Sequence, residues 1–255
     1  TDQVTATGFT GTLDGILGSG SAASASVTTL TVNGDITTTT SGTSNFVAGV
    51  NAGNSIASGG NYNVVIGDEA GTAITTGDNN VAVGYAALDA NTTASNNTAL
   101  GYAALGANTE GDFNTAVGQN ALQASTTANY NTAVGRYAMF ATTTGIFNVA
   151  LGAAALDANT TGTANVAVGY AALGLNSTAS NNTALGYATL DANTTGASNV
   201  AVGYGALTAN TTASNNTALG YNALAANTEG TANIAVGYAA LDANTTANNN
   251  LAIGH

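Results

Sequence analysis

The sequence predicts an all-β protein, a parallel β-solenoid of about twelve coils with a 17-residue period. Glycine recurs twelve times at a spacing of 17 without a slip, from Gly67 to Gly254. A period this short cannot hold the helix pair of a helical repeat, which needs about 33 residues or more. The residues between these glycines are rich in β-branched and turn-forming types, which favour short strands and tight corners.

Two domains are predicted. Residues 45–255 form the solenoid, in which equivalent residues stack at about 4.8 Å, so that twelve coils make a rod roughly 60 Å long. Residues 1–44 lack the repeat and are rich in Gly, Ser and Thr, with a turn signal at Asn33 and Gly34 between β-prone runs. We expect this segment to be a β stalk or connector that caps the first coil, because the open end of a solenoid is an unpaired edge.

The repeat unit contains a set of residues that we predict to form structural ladders. Its consensus is N-[VT]-A-[VL]-G-Y-x-A-L-x-A-N-T-T-[AG]-x-x, numbered here as positions 1 to 17 from the Asn. Stacked Asn amides at position 1 can satisfy backbone groups at a corner, and Gly at position 5 can adopt a corner conformation closed to other residues. Two units that represent the ladder contain Asn97, Ala99, Gly101, Asn165, Ala167 and Gly169.

The predicted strand has two faces, because side chains alternate along it. Positions 2 and 4 are mainly apolar, and we expect Leu100 at position 4 to fill the coil's core together with Leu88 and Leu105 at position 9 and Ala90 at position 11. Positions 3 and 5 are uniformly small, which is typical of close approach by another backbone. We expect that backbone to belong to a neighbouring chain, so both faces would be buried and the rod would be oligomeric.

Tyr occupies position 6 in seven units and forms a candidate ligand-facing strip. The strip can be interpreted as an aromatic surface that stacks on sugars or as a structural ladder that covers one edge of the coil. The structural interpretation is favoured because Gln119, Arg136 and Ala153 replace Tyr in three adjacent units. The seven residues are Tyr85, Tyr102, Tyr170, Tyr187, Tyr204, Tyr221 and Tyr238.

The charge of the chain argues against several classes of partner. Arg136 is the only basic residue against 13 acidic ones, for a net charge of −12. A chain without a basic patch cannot neutralise phosphates, so we expect no nucleic-acid binding and no attraction to an anionic membrane. No run of about 18 apolar residues is present, so we expect no membrane insertion.

The sequence also lacks the groups that catalysis or metal binding needs. The one histidine is His255, and Asp89, Asp157, Asp191 and Asp242 are scattered at position 10 of separate units. General acid–base catalysis needs matched groups in one pocket, so we expect no enzymatic activity and no cofactor. The calcium-binding β-roll repeat G-G-x-G-x-D-x-U-x is not matched, so we expect no metal site.

The strand and corner of the unit resemble a known repeat. "NVAVG" at 80–84 and "NLAIG" at 250–254 resemble the head repeats of trimeric autotransporter adhesins, whose units are a few residues shorter. The full unit "NTALGYAALGANTEGDF" at 97–113 is similar to repeats in phage tail fibres, and "TGTLDGILGSGSAASASVTTLTVNGD" at 10–35 is similar to their β-stalk segments. The adhesin resemblance implies a left-handed β-roll with three chains side by side.

These resemblances imply a function as well as a fold. They imply a homotrimeric phage tail or virion fibre, an extracellular appendage of the virion surface that contacts a glycan or protein receptor on the host. The alternative that they leave open is a bacterial surface adhesin, located on the bacterial outer surface, that binds matrix or cells. An ice-binding or glycan-binding monomer is a third class, and the adjacent Thr residues of "NTT" argue against an ice-binding face because neighbouring strand residues point opposite ways.

Overall fold

The computed structural model describes residues 40–255. In this part of the chain thirteen strands of three residues form one parallel sheet in sequence order, and no residue is helical. The prediction of an all-β parallel solenoid of about twelve turns is confirmed, whereas the predicted stalk at 1–44 lies, except for residues 40–44, outside the described residues. The strands are Phe46–Ala48 (β1), Val64–Ile66 (β2), Val81–Val83 (β3), Thr98–Leu100 (β4), Thr115–Val117 (β5), Thr132–Val134 (β6), Val149–Leu151 (β7), Val166–Val168 (β8), Thr183–Leu185 (β9), Val200–Val202 (β10), Thr217–Leu219 (β11), Ile234–Val236 (β12) and Leu251–Ile253 (β13).

Consecutive coils are joined residue by residue around most of their circumference. In the sheet, Thr98 pairs with Thr115, 17 residues later. Hydrogen bonds also join the coils away from the strands: Leu88 N donates to Ala104 O at 3.0 Å, and Thr109 N donates to Thr126 O at 2.9 Å. An inserted residue would break all of these bonds at once, which explains why the period does not slip from β2 onward.

The core of each coil is built from positions 3, 8 and 9. Ala99, Ala104 and Leu105 are all 0% exposed, whereas Leu100 at position 4 is 46% exposed. Our expectation that positions 2 and 4 fill the core and position 3 faces another chain was therefore wrong. A three-residue strand turns only its middle side chain inward, and with Leu105 opposite, the narrow interior has room for no more than Ala.

Two other details of the core follow from this narrow interior. Ala90, expected in the core, is partly exposed, and Ala87 at position 8 is buried in its place. In the unit that starts at residue 63, Gly71 replaces the core Leu, and Val65 and Ile74 are both buried. A Cβ added to Gly71 would lie 2.7 Å from Cδ1 of Ile74, so the larger neighbours occupy the volume that Leu fills elsewhere.

Gly at position 5 allows two coils of one chain to approach each other. Gly101 has a φ of +137°, which L side chains rarely adopt. A Cβ at this position would lie 2.6 Å from the carbonyl oxygen of Gly118. The close neighbour is therefore the next coil, and not a second chain as the sequence suggested.

A buried Asn ladder runs along the whole stack at position 1. Asn97 N donates to Oδ1 of Asn80 at 3.0 Å, and Asn97 Nδ2 donates to the carbonyl of Gly111 at 2.8 Å. Asn165 makes the equivalent bonds to Asn148 and Ala179. Each amide thus joins two coils and also satisfies a buried carbonyl within its own unit, which is what a buried polar group requires.

A second Asn ladder, at position 12, was not predicted because Asn-Thr-Thr reads as an exposed turn. Asn91 and Asn108 are 0% exposed, and Asn108 Nδ2 donates to Asn91 Oδ1 at 2.9 Å. This ladder is interrupted where Ser125 and Thr142 replace Asn. Asn108 Oδ1 and Ser125 Oγ are buried there without a hydrogen-bond partner among the described residues.

The corner glycine can be tested by adding one methyl group. We expect Gly101→Ala to destabilise the protein by about 2–4 kcal/mol, because it combines a disfavoured φ with a backbone clash. Gly106→Ala is the matched control, since position 10 of another unit is Ala225 and a Cβ on Gly106 meets no atom closer than 3.3 Å. Thermal unfolding followed by circular dichroism measures both, and equal melting temperatures for the two variants would contradict the corner assignment.

The interrupted ladder can be tested by restoring it. We expect Ser125→Asn to stabilise the protein by about 1–2 kcal/mol, because the new amide can donate to Asn108 Oδ1 and to the carbonyl of Ala128. Ser125→Ala is the control: it removes the unpaired hydroxyl but leaves Asn108 Oδ1 unpaired. If the Asn variant unfolds at no higher denaturant concentration than the Ala variant, an amide at residue 125 does not pair with Asn108 Oδ1. That result would contradict the interpretation of Ser125 as a break in the ladder.

Candidate functional site

The outer face of the sheet carries the most distinctive surface of the described residues. Around each strand it consists of four side chains: the residue before the position-1 Asn, and positions 2, 4 and 6. We call this row a layer, its first residue the leading edge and its position-6 residue the trailing edge. In the layer of β4 these residues are Asn96, Thr98, Leu100 and Tyr102, each of which is at least partly exposed.

The middle of the outer face is apolar along its whole length. Positions 2 and 4 are Val, Thr, Leu or Ile in every layer from β2 to β13. Leu185 is 47% exposed and Leu219 is 46% exposed. A continuous exposed apolar stripe of this kind is unusual for an isolated protein and is typical of an interaction surface.

Charge is almost absent from the outer face. In the layers from β2 to β13 only Asp68 and Arg136 carry a charge, both at the trailing edge. The other acidic residues of these coils lie at different unit positions, such as position 10 for Asp89 and position 14 for Glu110. The negative charge of residues 40–255 is thus carried mainly by the other sides of the rod.

The candidate Tyr strip lies along the trailing edge. Its rings are between 44% and 55% exposed. They stack on their neighbours, with centroids 5.4 Å apart for Tyr85 and Tyr102 and 5.3 Å apart for Tyr170 and Tyr187. The stack continues through Tyr204, Tyr221 and Tyr238 to His255 at spacings of 5.1–5.2 Å.

A second aromatic stack lies along the leading edge and was missed in the sequence. Phe113, Tyr130 and Phe147 stack at centroid distances of 5.1 Å and are 48–55% exposed. They belong to the three adjacent layers in which Gln119, Arg136 and Ala153 replace Tyr at the trailing edge. The sequence contains a signal for this stack, because an aromatic residue directly precedes the position-1 Asn in three consecutive units. The prediction considered only the aromatic residues at position 6.

The only basic residue of the chain lies within these three layers. Arg136 is exposed, its Nε donates to Gln119 Oε1 at 3.3 Å, and its guanidinium carbon lies 4.4 Å from the ring centroid of Tyr137. Tyr137 in turn contacts Phe140 edge to face at 5.3 Å. The cation is therefore held at the trailing edge by an amide and a ring.

Other candidate sites in residues 40–255 are modest. An open depression of about 360 Å³ at the first coil is lined by residues that include Thr40, Val47 and Ile56. No group of three or more His, Cys, Asp or Glu side chains in this part of the chain is arranged to hold a metal ion. None of its residues forms a helix long and apolar enough to cross a membrane.

Fold and surface together define the class of protein: a β-solenoid repeat protein with one apolar face that has aromatic side chains along its edges. Comparison with protein-family models, with curated proteins and with solved structures finds no match to this chain.

Two half-buried carboxyl groups at position 10 make stability depend on pH. Burial raises the pKa of Asp157 and Asp191 above the ordinary value of 3.8. The folded protein thus binds these protons more tightly than the unfolded chain, so this contribution stabilises the fold below about pH 3.8 and is lost as pH rises through the raised pKa values.

We therefore expect Asp157→Asn and Asp191→Asn each to raise the melting temperature slightly at pH 7, with the gain vanishing toward pH 3. Asp242→Asn, at the same unit position but exposed, is the control for removing one negative charge. Melting temperatures measured from pH 3 to pH 8 test this expectation. A gain in the buried variants that matches the control at every pH would mean that net charge alone is responsible.

Proposed function

We propose that this chain is a structural fibre protein, a rigid trimeric rod of a phage tail or virion fibre that takes part in attachment to a host surface. The observation that carries the proposal is the outer face: an apolar, nearly uncharged stripe that extends over the twelve stacked strands from β2 to β13 and has no partner within the described chain. The resemblance of the repeat to phage fibre and adhesin repeats supplies the number of chains.

Stiffness is the first property that supports a fibre. Each coil is bonded to the next through the sheet, through the backbone of its other sides and through Asn97 and its equivalents. Bending the rod would have to lengthen many of these bonds together. A stack of this kind suits a protein that holds other parts at a fixed distance.

Self-association is the second property. Chains of net charge −12 repel one another, so copies can meet only where acidic residues are absent. The outer face meets that condition, and burying its Val, Leu and Ile side chains would contribute roughly 25 cal/mol for each Å² of apolar surface removed from water. We therefore place the outer faces of three parallel chains around a common axis.

Attachment follows from repetition and needs no catalysis. Three chains present every surface feature three times at fixed spacing, so weak contacts with a host glycan or protein gain strength through multivalency. In this proposal the rod is an extracellular appendage of the virion and neither catalyses a reaction nor needs a cofactor. A bacterial surface adhesin built on the same rod is the alternative.

Assembly is tested by native mass spectrometry and by electron microscopy of the purified chain. We expect a mass three times the 24.5 kDa of one chain and rods whose repeat region is roughly 60 Å long. A monomer that persists at micromolar concentration would overturn the trimeric rod.

Location is tested with antibodies raised against the purified chain. Immunogold labelling of virions and cells from the source that carries the gene should mark tail appendages. Labelling of the bacterial envelope alone would support the adhesin and overturn the phage fibre, and labelling confined to the cell interior would overturn both.

A further inference from the structure

Aromatic rings are distributed over the outer face by a simple rule. Every layer from β2 to β13 has one ring, at the leading edge or at the trailing edge, and no layer has two or none. The leading-edge rings are Tyr62, Phe113, Tyr130 and Phe147. The trailing-edge rings are Tyr85, Tyr102, Tyr170, Tyr187, Tyr204, Tyr221, Tyr238 and His255. In each layer, the residue at the edge without a ring is small or polar, as Asn96 is in the layer of Tyr102.

Within one chain the two edges are too far apart to account for this rule. The leading-edge and trailing-edge residues of a layer are separated by six residues of mostly extended backbone, which span roughly 15–20 Å. The observed ring stacks join only rings of the same edge, such as Phe113 with Tyr130 and Tyr85 with Tyr102. Nothing inside a single rod therefore makes a ring at one edge substitute for a ring at the other.

The leading edge is also an unfavourable place for a ring. Its residues have φ values near +58°, a conformation that Asn tolerates and bulky residues avoid. Asn79, Asn96 and Asn181 follow that preference, whereas Phe113 and Tyr130 do not. The coil imposes a left-handed conformation on bulky residues elsewhere too, as at Leu105 with a φ of +50°, where core packing compensates its cost. A ring at the leading edge calls for a compensating contact of the same kind.

We propose that the two edges meet between chains: the leading edge of one copy packs against the trailing edge of the next, layer against the same layer. This inference rests on the proposed rod of three parallel chains, and it identifies the contact between neighbouring chains that closes the trimer. Each seam between copies then contains one unbroken column of rings, which passes from one chain to its neighbour wherever the edge changes. Such an interface is heterologous, because it joins two different patches of the same surface.

The middle layers are consistent with this arrangement. There the leading-edge stack of one copy would face Gln119, Arg136 and Ala153 of the next. In the layer of β6 this places Tyr130 beside the chain's only cation, a pairing that aromatic rings favour. In the layer of β7 it places Phe147 beside Ala153, the smallest residue of the trailing edge.

The test exchanges the ring between edges in one layer. The layer of β4 is suited to it, because Asn96→Tyr would extend the leading-edge stack that starts at Phe113 while Tyr102→Asn shortens the trailing-edge stack by one ring. Each single variant leaves a seam layer with two rings or with none, and we expect each to lower the melting temperature of the assembly by about 2–4 °C. The double variant restores one ring per layer, and we expect it to lose clearly less than the sum of the two single losses, the remaining loss being the strain of Tyr at residue 96, where φ is +61°. A double variant whose loss equals the sum of the two single losses would overturn the inference.

A cross-linking measurement tests the same contact without relying on stability. The chain has no Cys, so Asn96→Cys combined with Tyr102→Cys can be treated with a bis-maleimide that spans roughly 10 Å, shorter than the distance between the edges within one chain. We expect covalent trimers on denaturing gels, none from either single variant, and few from Asn96→Cys combined with Tyr204→Cys, whose layers are six coils, or roughly 29 Å, apart.

The outcomes separate this inference from the proposed rod. A trimer by native mass that fails to cross-link and shows additive losses would overturn the ring column and leave the fibre proposal standing. Covalent dimers from a single variant would mean that like edges meet, which also overturns the inference. A monomer by native mass would overturn both proposals.

Discussion

Stacking of each coil directly on the previous one, at one strand spacing, is the constraint on which the rest of the structure depends. Gly101 must be glycine because the carbonyl of Gly118 lies where a side chain would begin. Asn97 must be an amide because it bonds to the coil below and to a buried carbonyl of its own unit. The same spacing aligns the outer side chains into columns, so the requirements of the interior and the pattern of the surface have one origin.

The interior of this rod leaves few choices, and the outer face leaves many. Inside, a larger residue at one position must be balanced by a smaller one nearby, as Val65 and Ile74 balance Gly71. Outside, Thr, Val, Leu, Tyr, Gln and Arg alternate without disturbing the register. Most of what distinguishes one segment of the rod from another, including Arg136 and the stacked ring of Tyr130, is therefore found on its surface.

Much of the fold could be predicted from the sequence because its period is the period of the structure. Twelve glycines at one spacing indicate stacked coils whatever the details of the corners. The orientation of the strand could not be predicted in the same way: alternation separates Ala99 from Leu100 but does not say which of them points inward. That depends on the width of the coil, which is set by Leu105 opposite. Asn91 was missed as a ladder residue because its local sequence is that of a turn and its bonds are made to residues 17 positions away.

If copies of the rod meet edge to edge as proposed, the arrangement of rings also governs how they align along their length. A strictly periodic rod could pair with its neighbour after sliding by one coil, or by several, at little cost. The edges change at irregular intervals, after Tyr62, after Tyr102 and after Phe147, so sliding by one coil would bring two rings together at some heights and leave gaps at others. In the proposed assembly the rings would thus be an aperiodic mark on a periodic object, and they would allow identical repeats to specify a single alignment.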